Sequence, residues 1–251
     1  MHTNFNTGAR LPPAIKIEGF YLVNFMKEAV ICHDLKKNYG EEESLMKVLR
    51  GIELVIKEGE LTMIVGPSGC GKTTLLSVIT AILSQDSGEC LIYGENVQKM
   101  NEMDKTAFRK RNIGFIFQAY HLIPSFSALE NTSIPLLLNN VEEEEAYERA
   151  RNMLIQVGLE HRMDAIPSHM SGGEQQRVAI CRGCIHNPKL IVCDEPTSTL
   201  DHQTGVKVLE LFRSIAVNEK KAIIVVTHDT RIYEFADRIL QMEDGKIIGE
   251  I

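Results

Sequence analysis

The stretch that decides the fold of this chain is Gly66-Pro67-Ser68-Gly69-Cys70-Gly71-Lys72-Thr73-Thr74. It follows the apolar run Leu61–Val65 and precedes a second apolar segment, residues 74–83, which together predict a strand, a loop and a helix. Glycine lets the backbone curl so that successive N–H groups point at phosphate oxygens, and the helix N-terminus adds partial positive charge. The pattern G-x-x-x-x-G-K-[ST] therefore predicts a loop that holds the phosphates of a nucleotide.

Two side chains of this loop are expected to act directly on the nucleotide. Lys72 is placed to reach the β- and γ-phosphates, and the Thr73 hydroxyl to complete the coordination shell of a Mg²⁺ ion. A chance glycine-rich turn is the alternative, and the strand before the loop and the helix after it argue against that alternative. The loop by itself indicates a nucleoside triphosphatase and no narrower class.

A second stretch supplies carboxylates for the same chemistry. The apolar run 190–193 predicts a buried strand that ends at Asp194 and Glu195. Asp194 is predicted to bind Mg²⁺, in the arrangement known as Walker B, and Glu195 to polarise the water that attacks the γ-phosphate. Two solvated loop charges are the alternative, which the buried strand beside a phosphate-binding loop disfavours.

Strands and helices alternate along most of the chain. The run Ala222–Thr227 predicts another buried parallel strand, and residues 142–158 show the three- and four-residue spacing of an amphipathic helix. Residues 239–242 and 246–248 flank Asp244-Gly245, which predicts a β-hairpin with a tight turn. The alternation predicts an α/β fold with a mostly parallel sheet.

Composition limits the classes of function. The 251 residues include 27 Lys and Arg against 34 Asp and Glu, a formal net charge of −7, which gives no basic footprint for nucleic acid. The longest stretch without a charged residue, 112–129, contains several polar side chains and a proline, so no segment predicts a membrane-spanning helix. We expect a cytoplasmic protein held at a membrane by a partner, and no nucleic-acid partner.

The six cysteines do not form the framework of a small secreted protein. Cys181 and Cys184, with His186 close behind, could form a redox pair or half of a zinc site, but no second pair accompanies them. We predict that these cysteines pack in the core of a helical segment.

The N-terminal residues differ in character from the rest. Leu11-Pro12-Pro13 interrupts any regular element, and patterned sequence begins only near Ala29. Residues 1–28 are therefore predicted to be a peripheral extension, with the alternative that translation begins at Met26. Residues 29–251 would form the functional domain.

The stretch that narrows the class is Met170-Ser171-Gly172-Gly173-Glu174-Gln175-Gln176-Arg177. It resembles the signature motif L-S-G-G-Q of the ABC transporter ATPase family, with Met170 in place of Leu and Glu174 in place of Gln. Physically the motif is a helix start, in which Ser171 would cap the helix and the glycines would expose backbone N–H groups to a phosphate. For the motif taken alone, a turn that binds no nucleotide is the alternative.

Further elements of the same family accompany the signature. They are Tyr39, which matches the aromatic residue that stacks on adenine, Gln118 of the Q-loop, Ser198-Thr199-Leu200-Asp201 of the D-loop and His228 of the H-loop. With them the resemblance spans residues 29–251. It implies a P-loop α/β fold of the ABC type, with a mostly parallel core sheet, an antiparallel β subdomain and a helical subdomain at roughly residues 120–187.

The resemblance also implies a role for each site residue. The residues implied for ATP binding are Tyr39, Gly66, Pro67, Ser68, Gly69, Cys70, Gly71, Lys72, Thr73 and Thr74 of one chain, Ser171, Gly172 and Gly173 of a second, and Asp201, which would couple the two sites. Those implied for catalysis are Glu195, His228 and Gln118, and those implied for Mg²⁺ are Thr73, Gln118 and Asp194. The working unit would be a head-to-tail homodimer, in which Thr199, where the family usually has Ala, could shift the contact between subunits.

The segment around and after Gln118 indicates the kind of ABC ATPase. Residues 114–118, 122–124, 128–131 and 134–137 resemble the subgroup of lipoprotein-releasing and macrolide-efflux ATPases, in which this region receives a helix of a separate membrane permease. The predicted function is to drive such a permease, which a periplasmic adaptor could join, from the cytoplasmic face of the inner membrane. The alternatives are an ABC ATPase that gates a cell-division partner without transport, and a soluble ABC ATPase outside transport.

Overall fold

The computed structural model describes residues 16–17, 20–21, 27–198 and 200–251. Most of the predicted N-terminal extension, including the alternative start at Met26, and Thr199 of the D-loop lie outside the described residues. Ahead of residue 27, two short strands, Lys16–Ile17 (β1) and Phe20–Tyr21 (β2), pair in antiparallel orientation.

A six-stranded sheet forms the centre of the molecule. Its strands are Leu61–Val65 (β5), Ile113–Ile116 (β7), Leu190–Asp194 (β8), Ala222–Thr227 (β9), Arg238–Glu243 (β10) and Lys246–Glu250 (β11), in the order β11-β10-β5-β9-β8-β7. All neighbouring pairs are parallel except β10 and β11, which form the predicted hairpin. Every residue of β5, β8 and β9 is buried, as expected for parallel strands covered on both faces. The predicted parallel sheet is confirmed.

A second, antiparallel sheet of three strands packs against the centre. It consists of Glu28–Tyr39 (β3), Met46–Lys57 (β4) and Ser87–Ile92 (β6), in the order β4-β3-β6. Apolar residues of all three strands join one hydrophobic cluster with the helix Lys72–Ile79 (α1) and with side chains of the central sheet. This cluster fixes the phosphate-binding loop between the two sheets.

Five longer helices complete the fold of the residues that the structure describes. They are Glu102–Asn112 (α2), Ala128–Leu138 (α3), Glu143–Gln156 (α4), Gly172–Cys184 (α5) and His202–Glu219 (α6). Helices α3, α4 and α5 pack on one another around Leu154, Met163, Met170 and Val178. These three helices fall within residues 120–187, and their treatment as a separate subdomain stays a prediction. In the described part of the chain, none of the helices has the length and apolar character needed to cross a membrane.

The helix after the phosphate-binding loop is shorter than the sequence predicted. The apolar run to residue 83 predicts a longer helix, whereas α1 ends at Ile79. Ala81 adopts a left-handed backbone with φ of 54°, and the N–H groups of Ile82 and Leu83 both donate to the Ser77 carbonyl. The chain therefore turns away at Ala81, which is buried, and leaves Ile82 exposed. The apolar pattern alone does not distinguish this turn from a continued helix.

The two predicted packing cysteines lie on α5. Cys181 and Cys184 are both buried, and burial raises the pKa of the Cys184 thiol to about 12. Thiols that are buried and remain protonated behave as small apolar side chains.

Candidate nucleotide site

The sheet brings the predicted site residues to one edge. Strands β5, β9 and β8 are neighbours, and their register pairs Val65 with Thr227 and Asp194 with Val226. The residues that follow these strands therefore lie together at the carboxyl edge of the sheet, where open α/β sheets bind ligands. A cavity of about 560 Å³ opens there, lined by Val48, Ser68, Gly69, Gly71, Lys72, Thr73, Thr74, Gln118, Asp194, Glu195 and His228.

Two glycines allow the loop between β5 and α1 to take its path. Gly66 runs so close to β10 that an added Cβ would collide with the carbonyl oxygen of Met242. Gly71, directly before α1, has φ of 104°, which L side chains rarely adopt. The loop can therefore curl against the sheet and present its backbone to the cavity only with glycine at these positions.

Lys72 is held at the floor of the cavity by the loop itself. Its Nζ donates to the carbonyl oxygens of Gly66 at 2.8 Å and Pro67 at 2.9 Å. The residue is only 8% exposed, and these two hydrogen-bond acceptors are neutral. A buried ammonium with neutral partners is costly unless an anion approaches it, so its surroundings fit a phosphate.

Thr73 and Asp194 meet across the cavity from different elements. The Thr73 hydroxyl at the start of α1 donates to Oδ2 of Asp194 at the end of β8, at 2.8 Å. Burial raises the pKa of the Asp194 carboxyl, the hydrogen bond from Thr73 opposes that shift, and the charge of Glu195 adds to it. A carboxylate and a hydroxyl with the Gln118 amide nearby form a set of oxygen donors, which is the set that Mg²⁺ prefers.

Glu195 sits in a fixed and unusual conformation beyond β8. Its φ is 52°, and its N–H donates to the Val226 carbonyl of β9 at 2.9 Å. The carboxylate is about 10% exposed, with His228 Nδ1 2.6 Å from Oε1 and Thr227 Oγ1 3.4 Å from Oε2. A left-handed backbone at a non-glycine residue costs energy and commonly marks a functional position. The turn aims the carboxylate into the cavity beside the phosphate-binding loop.

The predicted signature motif starts helix α5 as expected. The Ser171 hydroxyl accepts from the Glu174 N–H, and Glu174 Oε2 accepts from the Ser171 N–H at 2.8 Å, which is a reciprocal capping box. The Oε1 atom of Glu174 accepts from Nε of Arg162 at 2.8 Å. Glu174, the departure from the usual motif, is thus the second half of the cap.

Comparison with known proteins decides the family. A sequence profile of the family described as ABC transporter matches residues 49–198, from β4 through the Walker B strand to the D-loop.

The chain belongs to the ABC transporter family.

Relatives and solved structures agree with this assignment. The lipoprotein-releasing system ATP-binding protein LolD of Legionella pneumophila (strain Lens) is 41% identical over 213 residues, covering 85% of this chain and 94% of the relative. The uncharacterized ABC transporter ATP-binding protein MJ1508 of Methanocaldococcus jannaschii is 41% identical, covering 84% and 94%. The dimeric post-hydrolysis structure of the ATP-binding cassette MJ0796 bound to ADP and Pi superposes with a TM-score of 0.85 at 36% identity, covering 88% and 97%.

The predicted ABC fold and ATPase activity are therefore confirmed. This ABC protein is the ATP-binding subunit of a transporter, and it hydrolyses ATP. Its mostly parallel sheet, antiparallel sheet and helices are those of the ABC cassettes it resembles.

The site of this ABC ATPase gathers some predicted residues and leaves others apart. The cavity takes in most of the loop and the residues after β7, β8 and β9. Eight predicted ATP-binding residues do not line it, namely Gly66, Pro67 and Cys70 of the loop and, outside the loop, Tyr39, Ser171, Gly172, Gly173 and Asp201. Tyr39 is 39% exposed, and its ring lies 5.8 Å from Nζ of Lys37. Asp201 caps helix α6, where its side chain accepts from the N–H and hydroxyl of Thr204.

One lining residue was missed by sequence reasoning. Val48 on β4 borders the cavity, and its carbonyl oxygen also approaches Gly71. An apolar residue in an antiparallel strand is typical of a core, and no motif distinguishes it. Only the packing of the second sheet against the loop places it at the site.

Proposed function

We propose that this ATPase works as a head-to-tail homodimer with Mg²⁺, and that it drives a separate membrane permease that releases lipoproteins. The observation that supports the dimer most strongly concerns the N-termini of α1 and α5, which are both predicted to bind phosphate. The two N-termini do not line the same cavity within one chain. Lys72 and the start of α1 line the cavity, whereas Ser171 and the start of α5 do not. A second copy of the chain would bring its own Ser171 to this cavity, and the solved relative MJ0796 is dimeric.

Within one chain, six of the cavity residues have a defined task in this proposal, namely Lys72, Thr73, Gln118, Asp194, Glu195 and His228. Lys72 binds the β- and γ-phosphates, exchanging its two loop carbonyls for phosphate oxygens. Thr73, Gln118 and Asp194 hold Mg²⁺, which would neutralise charge on the phosphates and orient them. Asp194 must be ionised to do so, and a bound cation favours that form against the effect of burial.

Glu195 is the base that takes a proton from the attacking water. Its carboxylate is held at the cavity by the left-handed turn after β8, so it needs no large movement to reach a water in line with the γ-phosphate. His228, 2.6 Å away, orients the carboxylate and contacts the γ-phosphate when the nucleotide is bound. Tyr39 would stack on adenine, and Asp201 would couple the two ATP sites at the dimer interface.

A second groove, which shares no lining residue with the nucleotide cavity, fits a permease contact. It has a volume of about 350 Å³ and is lined by Thr106, Arg109, Lys110, Ile113, Phe115, Pro135, Leu138, Arg182, Gly183 and His186. Its lining combines apolar residues with the basic residues Arg109, Lys110 and Arg182, which suits an apolar helix that carries carboxylates. Phe115 and Pro135 belong to the segments that resemble the lipoprotein-releasing subgroup.

Arg182 connects this groove to the Q-loop. Its guanidinium donates to the carbonyl oxygens of Tyr120 and His121, both at 2.6 Å, two and three residues after Gln118. Tyr120 and His121 have φ of 59° and 48°, so the guanidinium holds a tight, strained turn. A helix that enters the groove would press on Arg182 and thereby shift Gln118 at the nucleotide. This path would transmit the closing of the ATPase dimer to a permease at the cytoplasmic face of the inner membrane.

The proposed cargo rests on the relatives whose names carry it. Two LolD proteins, of Legionella pneumophila and Pseudomonas syringae, are 41% and 40% identical to this chain and are named as parts of a lipoprotein-releasing system. A periplasmic adaptor would complete such a system if the cargo leaves the membrane.

The test reconstitutes the chain with the permease that copurifies from membranes. Liposomes would carry the complex and a lipoprotein, and released lipoprotein would be measured after addition of ATP and Mg²⁺. We expect release with the wild-type chain and none with Glu195→Gln. ATP hydrolysis that the permease stimulates without any release of lipoprotein would show that the cargo is wrong.

A further inference from the structure

The carboxylate of Glu174 organises the start of helix α5. Its Oε2 accepts from the N–H of Ser171 at 2.8 Å and from the Ser171 hydroxyl at 3.0 Å. Its Oε1 accepts from Nε of Arg162 at 2.8 Å. One carboxylate thus fixes both polar groups of the residue that the proposed dimer presents to ATP.

This arrangement places a negative charge where a phosphate would approach. The Ser171 N–H donates to the carboxylate and Arg162 pairs with it, and together they lower the pKa of Glu174 to about 2. The carboxylate is therefore ionised near neutral pH. A helix N-terminus attracts one anion through its N–H groups and dipole, so a built-in carboxylate competes with an incoming phosphate unless its charge is balanced.

Arg162 is the residue that supplies this balance. It lies on the 3-10 turn Glu160–Arg162, and its side chain is about 38% exposed while that of Glu174 is about 12% exposed. The guanidinium contacts the oxygen of Glu174 that does not cap Ser171, so it neutralises the carboxylate without disturbing the cap.

We propose that Arg162 is a positioning residue for ATP hydrolysis: by neutralising and anchoring Glu174, it sets Ser171 to receive the γ-phosphate of ATP bound by a second copy of the chain. This inference rests on the proposed dimer. The role of Arg162 is electrostatic, because the family usually has a neutral Gln where this chain has Glu174, and a neutral Gln needs no positively charged partner.

A second substitution that suppresses the effect of the first tests the role of charge. Arg162→Ala should raise the KM for ATP about tenfold, because it leaves a charged carboxylate facing a phosphate. Glu174→Gln in the Arg162→Ala chain removes that charge and should restore the KM to within about threefold of wild type. Nucleotide affinity of the dilute, monomeric chain should be equal in all of these variants, because the loop at Lys72 is unchanged.

Two further variants separate charge from folding. Arg162→Lys keeps the positive charge on a side chain of different shape, so its KM for ATP should lie between those of wild type and Arg162→Ala. Arg149→Ala is the matched control, because it removes an exposed ion pair with Glu145 on α4 and a hydrogen bond to the carbonyl of Ile185, the residue after the end of α5. It should leave the KM unchanged.

The measurement is ATP-dependent association of the full chain, together with KM and kcat. If the wild-type chain does not form dimers in the presence of ATP, the proposed dimer is wrong and this inference is wrong with it. If the wild-type chain associates and Arg162→Ala behaves like wild type, or Glu174→Gln gives no rescue, the inference alone is wrong.

Discussion

The Nδ1 atom of His228 lies 2.6 Å from Oε1 of Glu195, and the two residues follow neighbouring strands of the central sheet. The contact fixes the direction of a carboxylate that its own left-handed backbone already points into the cavity. Two features therefore orient the Glu195 carboxylate without a nucleotide, namely its left-handed backbone and its contact with His228.

Replacement of the base should separate binding from chemistry. Glu195→Gln keeps the shape of the side chain but cannot accept a proton, so ATP should bind while its hydrolysis falls by about 10²- to 10⁴-fold. His228→Ala should reduce the rate of hydrolysis less than Glu195→Gln does, because the turn at Glu195 still directs the carboxylate into the cavity. Single-turnover hydrolysis and nucleotide titration would check this, and a Glu195→Gln chain with the wild-type rate would exclude Glu195 as the base.

The contact between β7 and α5 should tolerate no side chain at Gly114. An added Cβ there would collide with the carbonyl oxygen of Gly183. Gly114→Ala should therefore lower the free energy of unfolding by about 1 to 3 kcal/mol, the usual cost of overpacking. Gly249→Ala is the control, since a Cβ at Gly249 meets no atom within 4 Å. Equal thermal midpoints for the two variants would contradict the packing described.

The stability supplied by Glu174 should depend on pH in the acid range. Folding lowers the pKa of this carboxyl from an ordinary value of 4.5 to about 2. A lowered folded pKa means that the stabilisation is complete above pH 4.5 and is lost as the pH falls towards 2. The difference in unfolding free energy between wild type and Glu174→Gln should shrink across that window. A difference that stays constant from pH 6 to pH 3, roughly the span of this titration, would contradict the lowered pKa that the hydrogen bond from the Ser171 N–H and the ion pair with Arg162 produce.

The groove near Arg182 should be the contact for the permease. Leu138 lines it and is 57% exposed, so Leu138→Glu should fold normally and yet reduce the ATP hydrolysis that the permease stimulates. Ile155→Glu on α4 is the matched control, because Ile155 is also an exposed apolar residue and does not line the groove. If both variants respond to the permease like wild type, the contact lies elsewhere.

The sequence predicts the centre of this fold well because its strands are buried on both faces. Apolar runs at Leu61–Val65 and Ala222–Thr227 match the observed strands residue for residue. The end of α1 was predicted wrongly, since the left-handed turn at Ala81 depends on contacts that apolar spacing does not encode.

The site was predictable where it follows strands and not where it depends on distant contacts. The loop after β5, which leads to Lys72, and the end of β8, at Asp194 and Glu195, lie together because the carboxyl ends of parallel strands share one edge. The pairing of Arg162 with Glu174 joins residues 12 positions apart through an irregular turn, and no periodicity reveals it.

The most direct measurement of the head-to-tail site mixes two defective chains. Lys72→Ala removes phosphate binding from the loop, and Ser171→Asp keeps a helix cap while adding a negative charge against the phosphate. A dimer made of either defective chain by itself should have no ATPase activity. An equal mixture should recover about a quarter of the wild-type ATPase rate, because half of the dimers are mixed and each of these has one intact site. A mixture no more active than its two components would contradict a site shared between two copies of the chain.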